Sequence, residues 1–201
     1  NKSFIIKIIV FCLVTIKVSA IEKVILFGDS LMAGYGLPNE QHLSVVLQRS
    51  LEFDGHNIKI INGSVSGSTS AGGLNIAEWT LSENNIDLMI LCLGANDMLR
   101  GINPKETKNN LEEIIEIAKN KNIKVIIAGM IAPTSYGYAY KKSFDKIFSD
   151  LSKKHKLQLI PFLLEGVAQK PEFNLSDGMH PNDRGTIIIG NTLKKAILKN
   201  L

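Results

Sequence analysis

From residue 23 onward, short and nearly unbroken apolar runs alternate with longer amphipathic stretches, and this alternation restricts the fold more than any other feature of the chain. Runs of Ile, Val and Leu without polar alternation suit strands covered on both faces, with the amphipathic stretches as the covering helices. The pattern predicts strands near 23–27, 58–61, 87–92, 123–129 and 157–160, and helices near 40–53, 73–83, 105–121, 138–154 and 183–199. The third helix is the best marked. Asn103 is its N-cap, Pro104 takes the first helical position, Glu106 follows, and Leu111, Ile114, Ile115 and Ala118 fall on one face. A chain of 201 residues fits one domain with a large core. Without an internal repeat, low-complexity segment or linker, the expected architecture is α/β: a single three-layer α/β/α sandwich on a five-stranded parallel sheet, over residues 21–201.

The first twenty residues follow a different pattern. Lys2 and Lys7 precede and interrupt the run Ile8-Ile9-Val10-Phe11-Cys12-Leu13-Val14, which closes on Val18-Ser19-Ala20. That is the layout of a secretory signal peptide cut after Ala20, although the same run retained would act as an anchor. Phe11 is too bulky for the small residue expected before a lipid-modified cysteine, which argues against that role for Cys12. The formal charge of +4 includes Lys2, Lys7 and Lys17, with no acid among residues 1–20, and falls to +1 without them. Nothing then suggests a nucleic-acid partner. The leader also carries one of the two cysteines, so Cys92 is left without a partner for an intramolecular disulfide.

Candidate functional residues cluster where predicted strands end. Gly28-Asp29-Ser30-Leu31 puts Ser30 at the carboxyl end of Val24-Ile25-Leu26-Phe27, the edge at which open α/β sheets bind ligands. Gly28 is expected to supply a sharp turn there. The segment Gly34-Tyr35-Gly36-Leu37-Pro38-Asn39 begins like a dinucleotide fingerprint but has Asn39 where the third glycine belongs. After the second strand, residues 62–73 form a loop of small residues in which the Gly67 N–H could meet a ligand oxygen. After the third, Gly94-Ala95-Asn96-Asp97 offers the Asn96 side-chain amide for the same purpose. Asp177-Gly178-Met179-His180-Pro181 precedes the last helix, with a spacing that lets Asp177 orient His180 as a base for Ser30. His42, His56 and His155 lack such context and are expected to be solvated.

These four blocks, in this order, resemble the SGNH (GDSL) hydrolase family, and the chain looks most like its bacterial periplasmic multifunctional thioesterase, lysophospholipase and arylesterase group. The resemblance covers essentially residues 22–200. It implies a flavodoxin-like sheet, Ser30 as nucleophile, His180 as general base and acid, and Asp177 as orienter. The implied oxyanion hole is the Ser30 and Gly67 backbone N–H groups with the Asn96 side chain, and neither metal nor cofactor is implied. The loops implied to line an acyl pocket carry Met98, Leu99, Pro133 and Tyr136 here, and their sequences do not transfer a chain-length preference.

The expected reaction is serine esterase chemistry on a small-molecule acyl ester or thioester through an acyl-enzyme. Apolar Met98, Leu99, Met130 and Ile131 beside these loops favour an acyl chain over a sugar or phosphate. A carbohydrate O-acetylesterase on the same machinery and a non-catalytic lipid-binding relative are the alternatives. Periplasmic or secreted localisation, access to membrane lipids and a monomeric state complete the expectations.

Overall fold

The computed structural model describes residues 21–82 and 85–201, so the leader expected at residues 1–20 lies outside the described residues. Five strands, β1 (Lys23–Gly28), β2 (Lys59–Asn62), β3 (Leu88–Cys92), β4 (Lys124–Ala128) and β5 (Gln158–Ile160), form one sheet in the order β2-β1-β3-β4-β5. Every neighbouring pair is parallel. The described helices are α1 (Ser30–Ala33), α2 (Leu43–Phe53), α3 (Ser70–Thr80), α4 (Ala95–Leu99), α5 (Pro104–Asn120), α6 (Tyr138–His155) and α7 (Asp183–Leu198). Right-handed crossovers send α2 to one face and α3, α5 and α6 to the other. The packing agrees, since α2 lies against α7, while α3 packs on α5 and α5 on α6. The result is a flavodoxin-like three-layer sandwich, none of whose described helices is long and apolar enough to cross a membrane.

The apolar runs account for the core. All five residues of β3 are buried, as are Val24 to Gly28 of β1. Leu111, Ile114, Ile115 and Ala118 of α5 are fully buried at helical spacing. Each such leucine or isoleucine side chain contributes on the order of 1.5–3 kcal/mol. Coverage on both faces holds for the inner strands but not for edge strand β2, where Lys59 and Asn62 are exposed and Ile60 and Ile61 half-buried. Polar residues there discourage pairing with another chain.

Several local expectations need correction. Gly28 is the last residue of β1 and not a turn: a Cβ there would lie 2.6 Å from the Cys92 carbonyl oxygen and 2.7 Å from Met32 Cγ, so its role is close packing. Helix α3 begins at Ser70 rather than near residue 73, because the Thr69 hydroxyl accepts from the Gly72 N–H and caps it. Its Gly73 sits against Leu93, whose Cδ1 would be 2.3 Å from any Cβ. His155 is not solvated. Its side chain is 6% exposed and lies between Glu112 (2.5 Å) and Glu116 (3.0 Å), joining α6 to α5. His42 is half-buried beneath Gly34 and donates through Nε2 to the Leu37 carbonyl at 3.0 Å; His56 is also half-buried.

Candidate active site

The chain reverses its direction of travel across the sheet between β1 and β3, and such a switch point opens a crevice at the carboxyl ends of these strands. Ser30 stands in that crevice. It is the first residue of α1, whose N-cap Asp29 accepts from the Leu31 N–H through its own carboxylate at 3.0 Å. One turn later Gly34, with φ of +89°, ends the helix and returns its N–H to the Ser30 carbonyl. The serine is thereby held at both ends.

His180 reaches it from the other end of the chain. The loop before α7 folds on itself: the Leu175 N–H donates to the His180 carbonyl at 2.8 Å, and Asn174 bridges to Pro181. Asp177 Oδ1 accepts from the N–H groups of Met179 (2.9 Å) and His180 (3.0 Å), and its Oδ2 lies 2.6 Å from His180 Nδ1. Those bonds, the His180 N–H first, hold the Asp177 carboxyl down at about 2. A carboxylate only accepts, so Nδ1 carries the proton that joins the two. In the neutral imidazole Nε2 is then the acceptor, and it lies 2.8 Å from Ser30 Oγ. The structure brings Ser30, His180 and Asp177 together in one hydrogen-bonded relay.

Gly67 and Asn96 line the same cavity as Ser30. Gly94, with φ of +115°, turns the chain out of β3 and caps the single-turn α4, which carries Asn96. The Asn96 side-chain amide donates to the Ser68 carbonyl at 3.1 Å and to Asp29 Oδ2 at 3.2 Å. Both bonds are long, and the same amide faces the cavity that Ser30 lines. Gly67 has φ of +79° and open space where a Cβ would stand, so its backbone conformation favours glycine there rather than contact with a neighbouring side chain.

Other polar groups brace these loops, and the sequence reading assigned them no part. Fully buried Asp97 accepts from the Ser70 N–H (2.7 Å), the Ser70 hydroxyl and the Thr107 hydroxyl (3.0 Å), tying α4 to α3 and α5. Arg100 donates to the Gly67 carbonyl at 3.0 Å. Asp29 is 1% exposed, and burial raises its carboxyl to about 6, although the Leu31 N–H and the Asn96 amide act in the opposite direction. Side-chain caps before a helix have a sequence signature; partners 10 to 67 residues away do not.

The cavity beside the relay measures about 970 Å³. Met98, Leu99 and Pro133 line it, together with Met130, Ile131 and Phe162. Tyr136 is not among its lining residues: it belongs to a 3₁₀ turn, Thr134–Tyr136, and stacks on Tyr140 with ring centroids 5.4 Å apart. Tyr35, which the sequence reading passed over, lines the cavity and packs on His180. Among the described residues no group of three His, Cys, Asp or Glu side chains is arranged to hold a metal ion.

A parallel 2-1-3-4-5 sheet with a serine, an imidazole and a carboxylate joined at its carboxyl edge beside an apolar cavity defines a flavodoxin-like hydrolase. The chain belongs to the GDSL-like lipase/acylhydrolase family, whose model matches residues 26–186. It is 36% identical over 194 residues to an arylesterase of Vibrio mimicus, covering 96% of each chain. To the thioesterase 1/protease 1/lysophospholipase L1 of Escherichia coli strain K12 it is 30% identical, covering 92% of this chain and 88% of that one. The crystal structure of TesA superposes with a TM-score of 0.84 at 31% identity, covering 90% of this chain and all of the other.

Proposed function

We propose that this chain is a serine esterase that cleaves carboxylic esters or thioesters of apolar acyl groups, with Ser30 as nucleophile. The observation that carries the reading is the relay of Ser30 Oγ, His180 and Asp177, joined at 2.8 and 2.6 Å on the wall of an apolar cavity. His180 Nε2 takes the Ser30 proton as Oγ bonds to the acyl carbon. The carbonyl electron pair moves onto oxygen, where the Ser30 and Gly67 N–H groups and the Asn96 amide stabilise it. As that oxyanion collapses, the bond to the leaving alcohol or thiol breaks and His180 returns the proton to it. Water then repeats the sequence on the acyl-enzyme, releasing the acid and restoring the Ser30 hydroxyl.

The names of relatives support this range of substrates, since they include an arylesterase and a thioesterase/lysophospholipase. A cavity of about 970 Å³ walled by Met98, Leu99, Met130 and Ile131 favours acyl chains over acetyl groups on a sugar. The deciding experiment is hydrolysis of p-nitrophenyl esters from acetyl to palmitoyl by residues 21–201, with Ser30→Ala beside it. Activity peaking at medium or long chains and lost in the variant supports the proposal. Acetyl-only activity favours a carbohydrate O-acetylesterase, and inactivity toward esters and a fluorophosphonate label favours a lipid-binding relative. The reading includes export by the leader-like residues 1–20 to the periplasm or the medium and access there to membrane lipids, with the enzyme acting as a monomer.

A further inference from the structure

His180 is held to Ser30 across 150 residues of sequence, and a single ring spans the gap between the two loops. The Tyr35 ring lies against the His180 imidazole with centroids 4.4 Å apart and planes inclined by 38°. The His180 side chain is 16% exposed, whereas Tyr35 itself is 52% exposed, so the tyrosine is a cover rather than a core residue. A half-exposed aromatic ring retains its place only if the backbone beneath it is fixed. Here it is fixed on both sides. Gly34 and Gly36 have φ of +89° and +75°; a Cβ on the first would stand 2.5 Å from the His42 ring, and on the second 2.7 Å from Leu175 Cδ1. The Tyr35 N–H reaches the Ser30 carbonyl at 3.4 Å, while the Leu175 N–H bonds the His180 carbonyl. The glycine turn thus touches the serine loop through its backbone and the histidine loop through Leu175.

We propose that Tyr35 is a positioning residue for His180. Its ring buttresses one face of the imidazole so that Nε2 stays directed at Ser30 Oγ, and its π-face stabilises the imidazolium that forms while the serine proton is held. A ring centroid 4.4 Å away is within the roughly 6 Å over which a cation and an aromatic face attract. The inference rests on the reading that His180 serves Ser30, and it predicts an effect on the chemical step rather than on acyl binding.

The test uses Tyr35→Ala and Tyr35→Phe in the chain of residues 21–201, with two readouts. The first is kcat and KM on a p-nitrophenyl ester. The second is the rate at which a small ethyl fluorophosphonate, too short to fill the cavity, labels Ser30. Tyr35→Ala is expected to lose about 10-fold in both kcat and labelling rate with KM within about twofold, and Tyr35→Phe, which keeps the ring, to recover both. Unchanged kcat and labelling in Tyr35→Ala would overturn the inference. So would a loss confined to KM, which would limit Tyr35 to contact with the acyl chain, or a failure of Tyr35→Phe to rescue, which would assign the effect to the hydroxyl. A wild-type chain that the reagent does not label refutes the serine esterase reading instead, so the two failures are distinguishable.

Discussion

The buried carboxyl beside the proposed nucleophile should leave a signature in the pH dependence of stability. Asp29 is 1% exposed, and burial lifts its carboxyl from the usual 3.8 to about 6. Between those two values the unfolded chain has released the proton while the folded one retains it, so the folded state loses ground as pH rises. The stabilising contribution is complete below about pH 4 and gone above about pH 6. At about 1.36 kcal/mol per pH unit, the interval corresponds to about 3 kcal/mol. Asp29→Asn cannot ionise. It does change the local hydrogen bonds, because Asp29 accepts from both the Leu31 N–H and the Asn96 amide and asparagine offers only one acceptor oxygen. That cost is constant with pH, and the other carboxyls titrate alike in both proteins, so subtracting one stability curve from the other isolates the ionisation. The assay is urea unfolding of both proteins at half-unit steps from pH 4 to pH 8. Relative to Asp29→Asn, the wild type should weaken by about 3 kcal/mol, or about 1–2 M in urea midpoint. A difference that is flat with pH, or that favours the wild type as pH rises, would refute the assignment of a costly buried charge.

Three further outcomes are expected. Asn96→Ala should remain folded by circular dichroism and lose about 10²–10³ in turnover of a p-nitrophenyl ester, the usual consequence of losing one oxyanion donor; retention of full turnover would remove Asn96 from the proposed oxyanion hole. Gly129→Ala should be destabilised by about 1–3 kcal/mol in urea unfolding, because its Cβ would stand 2.4 Å from the Pro161 carbonyl oxygen and backbone must move. Leu99→Asp, on the half-exposed wall of the cavity, should lower the decanoyl-to-acetyl ratio of kcat/KM about 10-fold, as expected from replacing an apolar contact with a long acyl chain by a charge. An unchanged ratio would mean that long chains take another route.

The inner strands are legible because continuous apolar runs leave no alternative to burial on both faces, and α5 because its cap, its proline and its apolar stripe agree. Helices α1 and α4 escaped because four or five residues cannot display a helical period, and both begin within two residues of a glycine that reads as a turn. Within the site, Asp177 and His180 are legible as a pair because one turn contains both. Their approach to Ser30 is not, since it depends on how α7 docks on α2. His155 was misread for the same reason: its partners Glu112 and Glu116 lie about 40 residues away on another helix. Tyr35 sat inside a glycine pattern that was weighed as a nucleotide fingerprint, and once that reading failed no local signal remained to link it to His180.

The two ends of the Ser30–His180 hydrogen bond belong to the first strand's exit and to the last loop before α7. On the proposed mechanism, the serine has its base only while the loop before α7 is seated. By that proposal, a chain with its five strands paired but its final helix unseated would hold the serine without a base and should not hydrolyse esters. Recovery of activity after dilution from denaturant should accordingly report the seating of that loop and not sheet formation alone. The same arrangement works in reverse. On the proposed mechanism a brief local opening of residues 175–182, the kind of excursion that costs far less than global unfolding, would extinguish catalysis while the sheet stays intact, so inactivation on heating should precede the loss of secondary structure.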